Sequence, residues 1–391
     1  MLKKSLFALS ILVMLPLSGV TIKSQVEVLA PQNVYSRQCQ SLNGSWNYFV
    51  DIQEQGYYDY RMNPMSHGYF ENSKPHHSWD LIEYDFDSSP TMTIPGDWNT
   101  QSEQLFLYEG TVWFKRDFDY SPVVGRRSLL YFGAVNYEAN VFVNGNHVGD
   151  HVGGFTPFCY DVTPFLHGGK NFVILKVDNK RNADNVPTLN FDWWNYGGIT
   201  RDVLLLDVGE IYIEDYVIRM SKNQEDKKKF DIEFSANLNL KSSGVQIDVR
   251  IPELGISQRY VSDDNGEVHT SLCVPRKSLT LWSPDVPKLY KVELSLVGTS
   301  PTDMIVDEIG FRTIETRGKE ILLNGSPIFL RGICSHEETA YSNRRCHSSS
   351  DADTLLAWAR ELGCNFIRLA HYPHNEHSVR EADRKSTRLN S

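Results

Sequence analysis

Basic residues are too few in this 391-residue sequence to outnumber the acidic ones. The chain has 39 Lys and Arg against 49 Asp and Glu, which gives a formal net charge of −10 at pH 7. A protein that binds the phosphate backbone of a nucleic acid usually presents a basic face. The composition therefore disfavours a nucleic-acid partner.

The sequence also lacks an apolar run long enough to span a membrane. A spanning helix needs roughly 20 apolar residues, whereas the run at 6–17 is shorter and contains Pro16. Lys3 and Lys4 precede this run and small or polar residues follow it, which is the pattern of a bacterial signal peptide. We expect residues 1–24 to be that signal peptide, and the protein to be secreted or periplasmic with no membrane span.

Closely spaced cysteine pairs are absent as well. The six cysteines form no CxxC motif and no tight framework, so most are expected to be buried thiols. Cys334, Cys346 and Cys364 lie close together in sequence, but their spacing matches no standard ligand pattern. We therefore predict no metal site, and nothing in the sequence requires a cofactor.

Strand patterns fill the segment 25–208. Short alternating apolar runs such as 111–116 and 171–177 are separated by Gly, Pro, Asn and Asp. Asn144-Gly145 lies between two such runs and predicts a hairpin with a type I′ turn. The number of strands and the long loops between some of them favour an all-β jelly-roll sandwich.

A second series of strands follows in the segment 209–312. Its length and the regular spacing of its turns favour an immunoglobulin-like β-sandwich, although the Cys…Trp…Cys signature of that fold is missing. The lysine cluster at 226–229 is predicted to be a solvated hairpin tip.

The pattern changes to α/β in the segment 313–391. A buried-type strand at 327–333 is followed by a helical period with Ser350 as the predicted N-cap and Gly363 after its end, and then by a second strand at 365–370. This βαβ unit predicts two parallel strands and the start of a (β/α)₈ TIM barrel.

Histidines follow both predicted strands of this unit. His336 follows the first strand and His371 follows the second, so both are expected at the rim where active sites of such barrels lie. Arg331 or Arg368 is expected to point inward beside them. Taken alone, each histidine favours an ordinary hydrogen-bonded residue, and only the pair at matching strand ends makes a site role equally consistent.

Four stretches of the sequence carry a resemblance to a known family. They are the residues 108–116, 192–203, 323–337 and 365–373. In their order and spacing they resemble glycoside hydrolase family 2, over nearly the whole chain after the signal peptide. The members of this family have a jelly-roll sugar-binding domain, an immunoglobulin-like domain and a (β/α)₈ barrel, in that order.

The resemblance implies roles for four residues. Asp192 is similar to the acidic residue that hydrogen-bonds sugar hydroxyls, and His336 and His371 are similar to the residues that contact the glycone or shape its pocket. Arg368 is similar to the supporting arginine that orients the nucleophilic carboxylate. The alternatives are a turn-capping role for Asp192 and a structural salt bridge for Arg368.

The resemblance also implies a retaining exo-β-glycosidase that removes terminal β-linked sugars from oligosaccharides or glycoconjugates. Two glutamates carry out this double displacement, and we expect both to lie beyond this sequence, because Glu337, Glu338 and Glu376 match other positions of the pattern. The implied activities, in order, are β-glucuronidase, β-galactosidase and, more distantly, β-mannosidase. A homo-oligomer is possible.

Length sets a further expectation for the third segment. A (β/α)₈ barrel takes about 250 residues, and only about 80 follow Arg312, so we expect a truncated barrel and a chain that is inactive by itself. The polar stretch 383–391 is expected to have no core-facing side. A non-catalytic carbohydrate-binding protein is therefore the rival hypothesis. A structural surface protein is disfavoured by the βαβ unit.

Overall fold

A computed structural model describes residues 27–74, 77–79, 84–186, 188–299, 302–385 and 388–390. The expected signal peptide at residues 1–24 lies outside these ranges. Among the helices of the described ranges, none combines the length and the hydropathy that crossing a bilayer would require.

The first domain is a two-sheet β-sandwich. Its strands are β1 (Glu27–Val28), β2 (Cys39–Ser41), β3 (Gly44–Val50), β4 (Thr91–Ile94), β5 (Thr111–Tyr120), β6 (Arg126–Phe132), β7 (Val135–Asn136), β8 (Glu138–Val143), β9 (Asn146–Val152), β10 (Phe158–Asp161), β11 (Gly169–Asp178), β12 (Gly198–Ile199) and β13 (Val203–Gly209), and its short helix is α1 (Trp98–Gln101). One sheet has the order β1-β10-β6-β13-β2 and the other β4-β3-β5-β11-β8-β9.

The core of this domain lies between the two sheets. Trp46, Trp98, Phe114 and Phe132 are fully buried there. The first half of β5 is buried on both faces, because the long loop between β3 and β4 places Phe70 and Phe86 over the outer face of the six-stranded sheet. The jelly-roll prediction is confirmed, and so is the hairpin: Asn144 and Gly145 have φ angles of 49° and 79° between β8 and β9.

The second domain is a seven-stranded sandwich without a disulfide. Its strands are β14 (Ile213–Lys222), β15 (Lys229–Leu238), β16 (Gln246–Ile251), β17 (Ile256–Val261), β18 (Glu267–Pro275), β19 (Tyr290–Val297) and β20 (Met304–Ile309). The sheets have the orders β14-β15-β18 and β17-β16-β19-β20. In β15 every second residue is buried, as expected for a strand with one face on a core. The lysine cluster lies at the turn between β14 and β15, and its last residue, Lys229, begins β15; the predicted hairpin tip is confirmed.

The third domain contains the start of a parallel sheet. Its elements are β21 (Ile314–Arg317), β22 (Glu320–Leu323), β23 (Ser326–Pro327), β24 (Gly332–Ser335), β25 (Glu338–Thr339), β26 (Arg344–Arg345), α2 (Ser349–Glu361), β27 (Phe366–Leu369), α3 (Glu376–Arg384) and β28 (Arg388–Asn390). The strands β24, β27 and β28 pair in parallel. The predicted βαβ unit and the start of a TIM barrel are confirmed.

Two local predictions in this unit are wrong. The first parallel strand begins at Gly332 rather than at residue 327, because the side chain of Asn365 occupies backbone groups of the segment before it. This side chain accepts a hydrogen bond from the N–H of Arg331 at 2.8 Å and donates one to the carbonyl of Phe329 at 3.0 Å. The helix N-cap is Ser348 rather than Ser350. Ser348 accepts a hydrogen bond from the N–H of Asp351, whose carboxylate accepts one in return.

The polar stretch at 383–391 begins with a residue that makes polar contacts to the second domain. Asp383 belongs to α3, where its carbonyl accepts a hydrogen bond from the indole N–H of Trp282 at 2.8 Å and its carboxylate binds Arg312 at 2.9 Å. These contacts join the helix to the second domain.

A buried ion pair joins the first two domains. Nη1 of Arg37 lies 2.7 Å and 2.9 Å from the two carboxylate oxygens of Asp303, and its Nη2 donates to the carbonyl of Ile213 at 2.5 Å. Both side chains are almost completely buried. Because each charge is removed from water, each depends on the other for compensation.

We predict that Arg37→Met destabilises the interface strongly. The change leaves Asp303 as an unpaired buried charge, which typically costs about 3–5 kcal/mol. Urea unfolding followed by tryptophan fluorescence measures the effect. The matched control is Arg219→Met, which removes an exposed ion pair with Glu233 and is expected to leave the midpoint nearly unchanged. Equal midpoints for the two variants would contradict the prediction.

Candidate active site

The structure brings together three of the residues predicted from the sequence. His336 follows β24 and His371 follows β27, so both lie at the carboxyl ends of neighbouring parallel strands. Asp192 reaches the same place from the loop between β11 and β12 of the first domain. One ligand atom of each residue lies within 4.8 Å of those of the other two. This polar group is shared by two domains and is open to solvent, since Asp192 and His371 are exposed; it is called the pocket below.

An aromatic ring lies beside this group. The ring centroid of Trp193 is 5.9 Å from that of His336, 6.1 Å from that of His371 and 5.4 Å from that of Tyr372. Sites for small polar ligands combine such apolar walls with a few hydrogen-bonding groups. The arrangement suits a sugar, which has apolar C–H faces and a rim of hydroxyl groups.

Arg368 sets the hydrogen-bonding state of His371. Its Nη2 lies 3.0 Å from Nδ1 of His371. A guanidinium group can only donate, so Nδ1 must accept, and the neutral imidazole then carries its proton on Nε2. His371 can therefore offer an N–H donor to a hydroxyl group. Arg331, the other arginine considered, instead binds the carbonyl of Gly363 at 3.2 Å and does not contact the histidines.

The same contact bears on whether the group could hold a metal. Two imidazoles and a carboxylate are a ligand set that zinc could use. However, Nδ1 of His371 accepts from Arg368, its Nε2 carries a proton in that state, and a guanidinium charge lies next to the ring. Each of these features opposes the binding of a metal cation beside the guanidinium of Arg368. The donor set thus fits a sugar hydroxyl better than a metal.

A buried charge cluster lies directly beneath the pocket. Glu337 is 1% exposed, and its Oε2 accepts from Arg201 of the first domain at 2.9 Å and from Arg345 at 3.3 Å. Its Oε1 accepts from the backbone N–H of Asn375. Arg201 also donates to the carbonyls of Phe155 at 3.0 Å and Pro373 at 2.7 Å. The cluster therefore ties the jelly-roll domain to the barrel rim.

Aromatic packing continues the cluster up to the pocket. The rings of Phe155 and Tyr372 stack at 4.1 Å, and the guanidinium of Arg345 lies 4.3 Å from the centroid of Phe155. The hydroxyl of Tyr372 accepts from the backbone N–H of Glu337 at 3.0 Å and lies 3.5 Å from Nδ1 of His336. The position of His336 thus depends on groups that are anchored in both domains.

The electrostatics of the cluster favour an ionised Glu337. Burial alone would raise the pKa of this carboxyl, but the charges of Arg201 and Arg345 outweigh burial and hold the pKa below its usual value. Burial raises the pKa of neighbouring Glu338, with His336 opposing the shift.

The third glutamate considered from the sequence, Glu376, lies outside this cluster. Its carboxylate forms an ion pair with Arg380 at 2.6 Å.

The sequence patterns did not identify several members of this site. Arg201, Arg345 and Phe155 were not candidates, and Glu337 was assigned no role. For Arg201 a signal existed, since it lies in the stretch 192–203 that carries the family resemblance. For Arg345 and Phe155 the sequence offered none. Phe155 meets Tyr372 and Arg345 across two domains, and the pairing of Arg345 with nearby Glu337 matches no spacing pattern.

Comparison with known families agrees with this arrangement. Models of glycosyl hydrolases family 2 match in succession, the sugar binding domain at residues 39–209, the family 2 model at 211–312 and the TIM barrel domain at 314–386. The chain belongs to glycosyl hydrolase family 2.

Individual relatives are similar over most of this chain. A β-galactosidase of Thermoanaerobacter pseudethanolicus is 28% identical over 310 residues, covering 75% of this chain and 41% of that protein. A β-glucuronidase of Felis catus is 27% identical over 399 residues, covering 91% of this chain and 57% of that protein. The chain spans 36–59% of the length of the curated relatives it matches.

Solved structures share the fold. The β-glucuronidase of an uncultured Clostridium sp. superimposes with a TM-score of 0.73 at 25% identity, covering 93% of this chain and 60% of that one. The β-glucuronidase of Bifidobacterium dentium has a TM-score of 0.77 at 23% identity, covering 93% and 62%.

We predict that Glu337→Gln removes a pH-dependent part of the stability. The folded-state pKa of Glu337 lies below the unfolded value of about 4.3, so its contribution is present above that pH and is lost as the pH falls through the folded pKa. The difference in free energy of unfolding between wild type and variant, about 3–5 kcal/mol at pH 7, should therefore shrink on acidification.

Urea unfolding at a series of pH values from neutral to strongly acidic measures this difference. Glu361→Gln, a change at an exposed position near the end of α2, is the matched control and should have little effect at any of these pH values. A difference that stays constant, or that grows on acidification, would show that the charge of Glu337 is not the stabilising feature.

We also predict that the wild-type pocket binds Zn²⁺ poorly and that Arg368→Met improves binding by at least about tenfold, because a nearby positive charge is removed. Isothermal titration calorimetry measures both affinities. The double variant Arg368→Met/His371→Ala should lose the gain. Equal Zn²⁺ affinity with and without Arg368 would contradict this electrostatic interpretation.

Proposed function

We propose that the protein containing this chain is a retaining exo-β-glycosidase that hydrolyses β-glucuronides. The observation that carries the proposal is the convergence of Asp192, His336 and His371 beside Trp193, in a pocket built by the sugar-binding domain and the barrel rim. The family membership and the predominance of β-glucuronidases among the relatives support it.

The residues of this chain bind and orient the glycone. Asp192 accepts hydrogen bonds from sugar hydroxyls, and His371 donates from Nε2 because Arg368 holds its other nitrogen as an acceptor. Trp193 covers an apolar face of the ring. Arg368 lies where a carboxylate arriving from the remaining barrel strands would be oriented and kept ionised.

The bond-breaking step requires two further carboxyl groups. In a retaining glycosidase one Glu attacks the anomeric carbon, while the other protonates the leaving oxygen and later activates water. In the described part of the chain, Glu337 is occupied by two arginines and Glu376 by Arg380. We propose, as the family resemblance implies, that both catalytic glutamates belong to a longer reading frame and that this chain alone binds sugar without hydrolysing it.

β-Galactosidase is the second candidate function, and the relative from Thermoanaerobacter pseudethanolicus favours it. The two activities differ at carbon 6 of the sugar, where a glucuronide carries a carboxylate that needs cationic or amide partners. We further propose a secreted or periplasmic location, on the basis of the pattern in residues 1–24, with oligosaccharides or glycoconjugates as substrates.

The deciding experiment expresses the complete reading frame and assays it on nitrophenyl β-glucuronide and nitrophenyl β-galactoside side by side. We expect preferential cleavage of the glucuronide. A soluble, complete enzyme that cleaves neither substrate would refute the glycosidase proposal, and preferential cleavage of the galactoside would replace the proposed glycone.

We predict that Asp192→Asn in this complete enzyme lowers kcat/KM by about tenfold to a hundredfold, because charge-assisted hydrogen bonds to the sugar are lost. Asp184→Asn is the matched control, since Asp184 is exposed and belongs to the same loop. Equal activities of the two variants would remove Asp192 from the proposed pocket.

A further inference from the structure

The first domain has a group of three exposed apolar side chains, one on the loop of Trp193 and two on a loop that contacts it. Trp194 lines a small cavity together with Trp193 and Tyr372. The rings of Phe106 and Trp194 are in contact at 5.1 Å, although 52% and 38% of these residues are exposed, and Leu107 is 75% exposed. We call these three residues the aromatic shelf. The roles proposed for the pocket do not use any of them.

The shelf is held by buried polar contacts. Asn99 is 3% exposed, and its Nδ2 donates to the carbonyls of Leu105 at 3.1 Å and Phe106 at 3.2 Å. Its Oδ1 accepts from the N–H of Gly197 at 2.9 Å. One buried side chain therefore fixes both of the loops that carry the shelf.

Three further asparagines hold the loop of Trp194. Asn195 donates to the carbonyl of Asn179 at 2.8 Å, and Nδ2 of Asn179 donates to the carbonyl of Asn195 at 3.2 Å. Asn136 donates to Oδ1 of Asn195 at 3.2 Å. A surface that is already ordered loses little entropy when a ligand binds. The exposed rings are thus a pre-organised binding surface.

The shelf is continuous with the pocket along the chain. Asp192 and Trp193 face the glycone site, and Trp194 follows them directly on the same fixed loop. A glycoside whose sugar occupies the pocket must place its other part, the aglycone, outside the pocket against the surrounding surface. Trp194 lines a cavity with Trp193 and Tyr372, and this contact places the shelf at the first-domain edge of that surface.

We propose that the aromatic shelf binds the aglycone and selects flat apolar aglycones over sugars and small alkyl groups. The inference rests on the proposed function, because it presumes a glycoside in the pocket. Phe106 and Leu107 have no side-chain hydrogen-bonding group, and Trp194 has only its indole N–H. A second sugar would need several such groups, whereas an aromatic ring needs only stacking and apolar contact.

The test uses the complete reading frame with three glucuronides of the same glycone, namely a 4-methylumbelliferyl glycoside, a methyl glycoside and a disaccharide. We expect Trp194→Ala and Phe106→Ala each to lower kcat/KM for the aryl substrate by about fivefold to tenfold, through loss of aromatic contact. We expect the values for the other two substrates to change by less than about twofold.

Trp79→Ala is the matched control, because Trp79 is an exposed tryptophan that stacks on His77 in a different loop. It should leave all three rates unchanged, and Trp194→Phe should retain most of the aryl preference. Equal losses on all three substrates would overturn the proposal, as would a loss confined to the disaccharide, which would indicate a second sugar site.

A binding measurement separates failure of this inference from failure of the proposed function. Fluorescence titration of free 4-methylumbelliferone into the 391-residue chain requires no hydrolysis. Weaker binding by Trp194→Ala than by Trp79→Ala supports the shelf even if no glucuronide is cleaved. No binding by the wild type, or equal binding by both variants, overturns it.

Discussion

The ion cluster of Arg201, Glu337 and Arg345 holds the candidate site together. A carboxylate that is almost completely removed from water is stable only when charges and hydrogen bonds compensate it. Here one guanidinium comes from the jelly-roll domain, the other from the barrel rim, and the second oxygen is bound by the backbone of Asn375. The barrel segment supplies only Arg345 and the backbone of Asn375, so the complete cluster forms only with both domains in this relative position.

The ion cluster fixes the relative position of the two domains and thereby the positions of the pocket residues. Arg201 binds the carbonyl of Pro373, and the backbone N–H of Glu337 binds the hydroxyl of Tyr372, which lies beside His336. Asp192 and Trp193 reach the histidines only because the first domain is anchored against the rim. A hydrogen-bonding site for sugar needs positions that are accurate to a fraction of an ångström, and a network of buried charges is rigid enough to provide them.

Local patterns predicted the elements whose formation depends on neighbouring residues. The Asn144-Gly145 turn could be predicted because its two positive φ angles are unfavourable for most other residue pairs. The parallel pairing of β24 and β27 could be predicted from the strand, helix, strand order. The strand start was misplaced because Asn365 acts through side-chain hydrogen bonds that propensity does not encode. The helix N-cap was misplaced because Ser348 with Asp351 and Ser350 with Asp353 both have capping-box spacing, and Asp353 instead pairs with Lys385.

In the candidate site, what the sequence could predict depends on how far apart the contacting residues lie along the chain. That His336 and His371 would meet at one rim follows from chain order alone, because parallel strands place their carboxyl ends together. The contacts of Arg201 with Glu337, of Phe155 with Tyr372 and of Phe106 with Trp194 join segments that are between 88 and 217 residues apart in sequence. No periodicity or spacing links such residues. They meet because three packed cores and buried charges bring distant loops into contact.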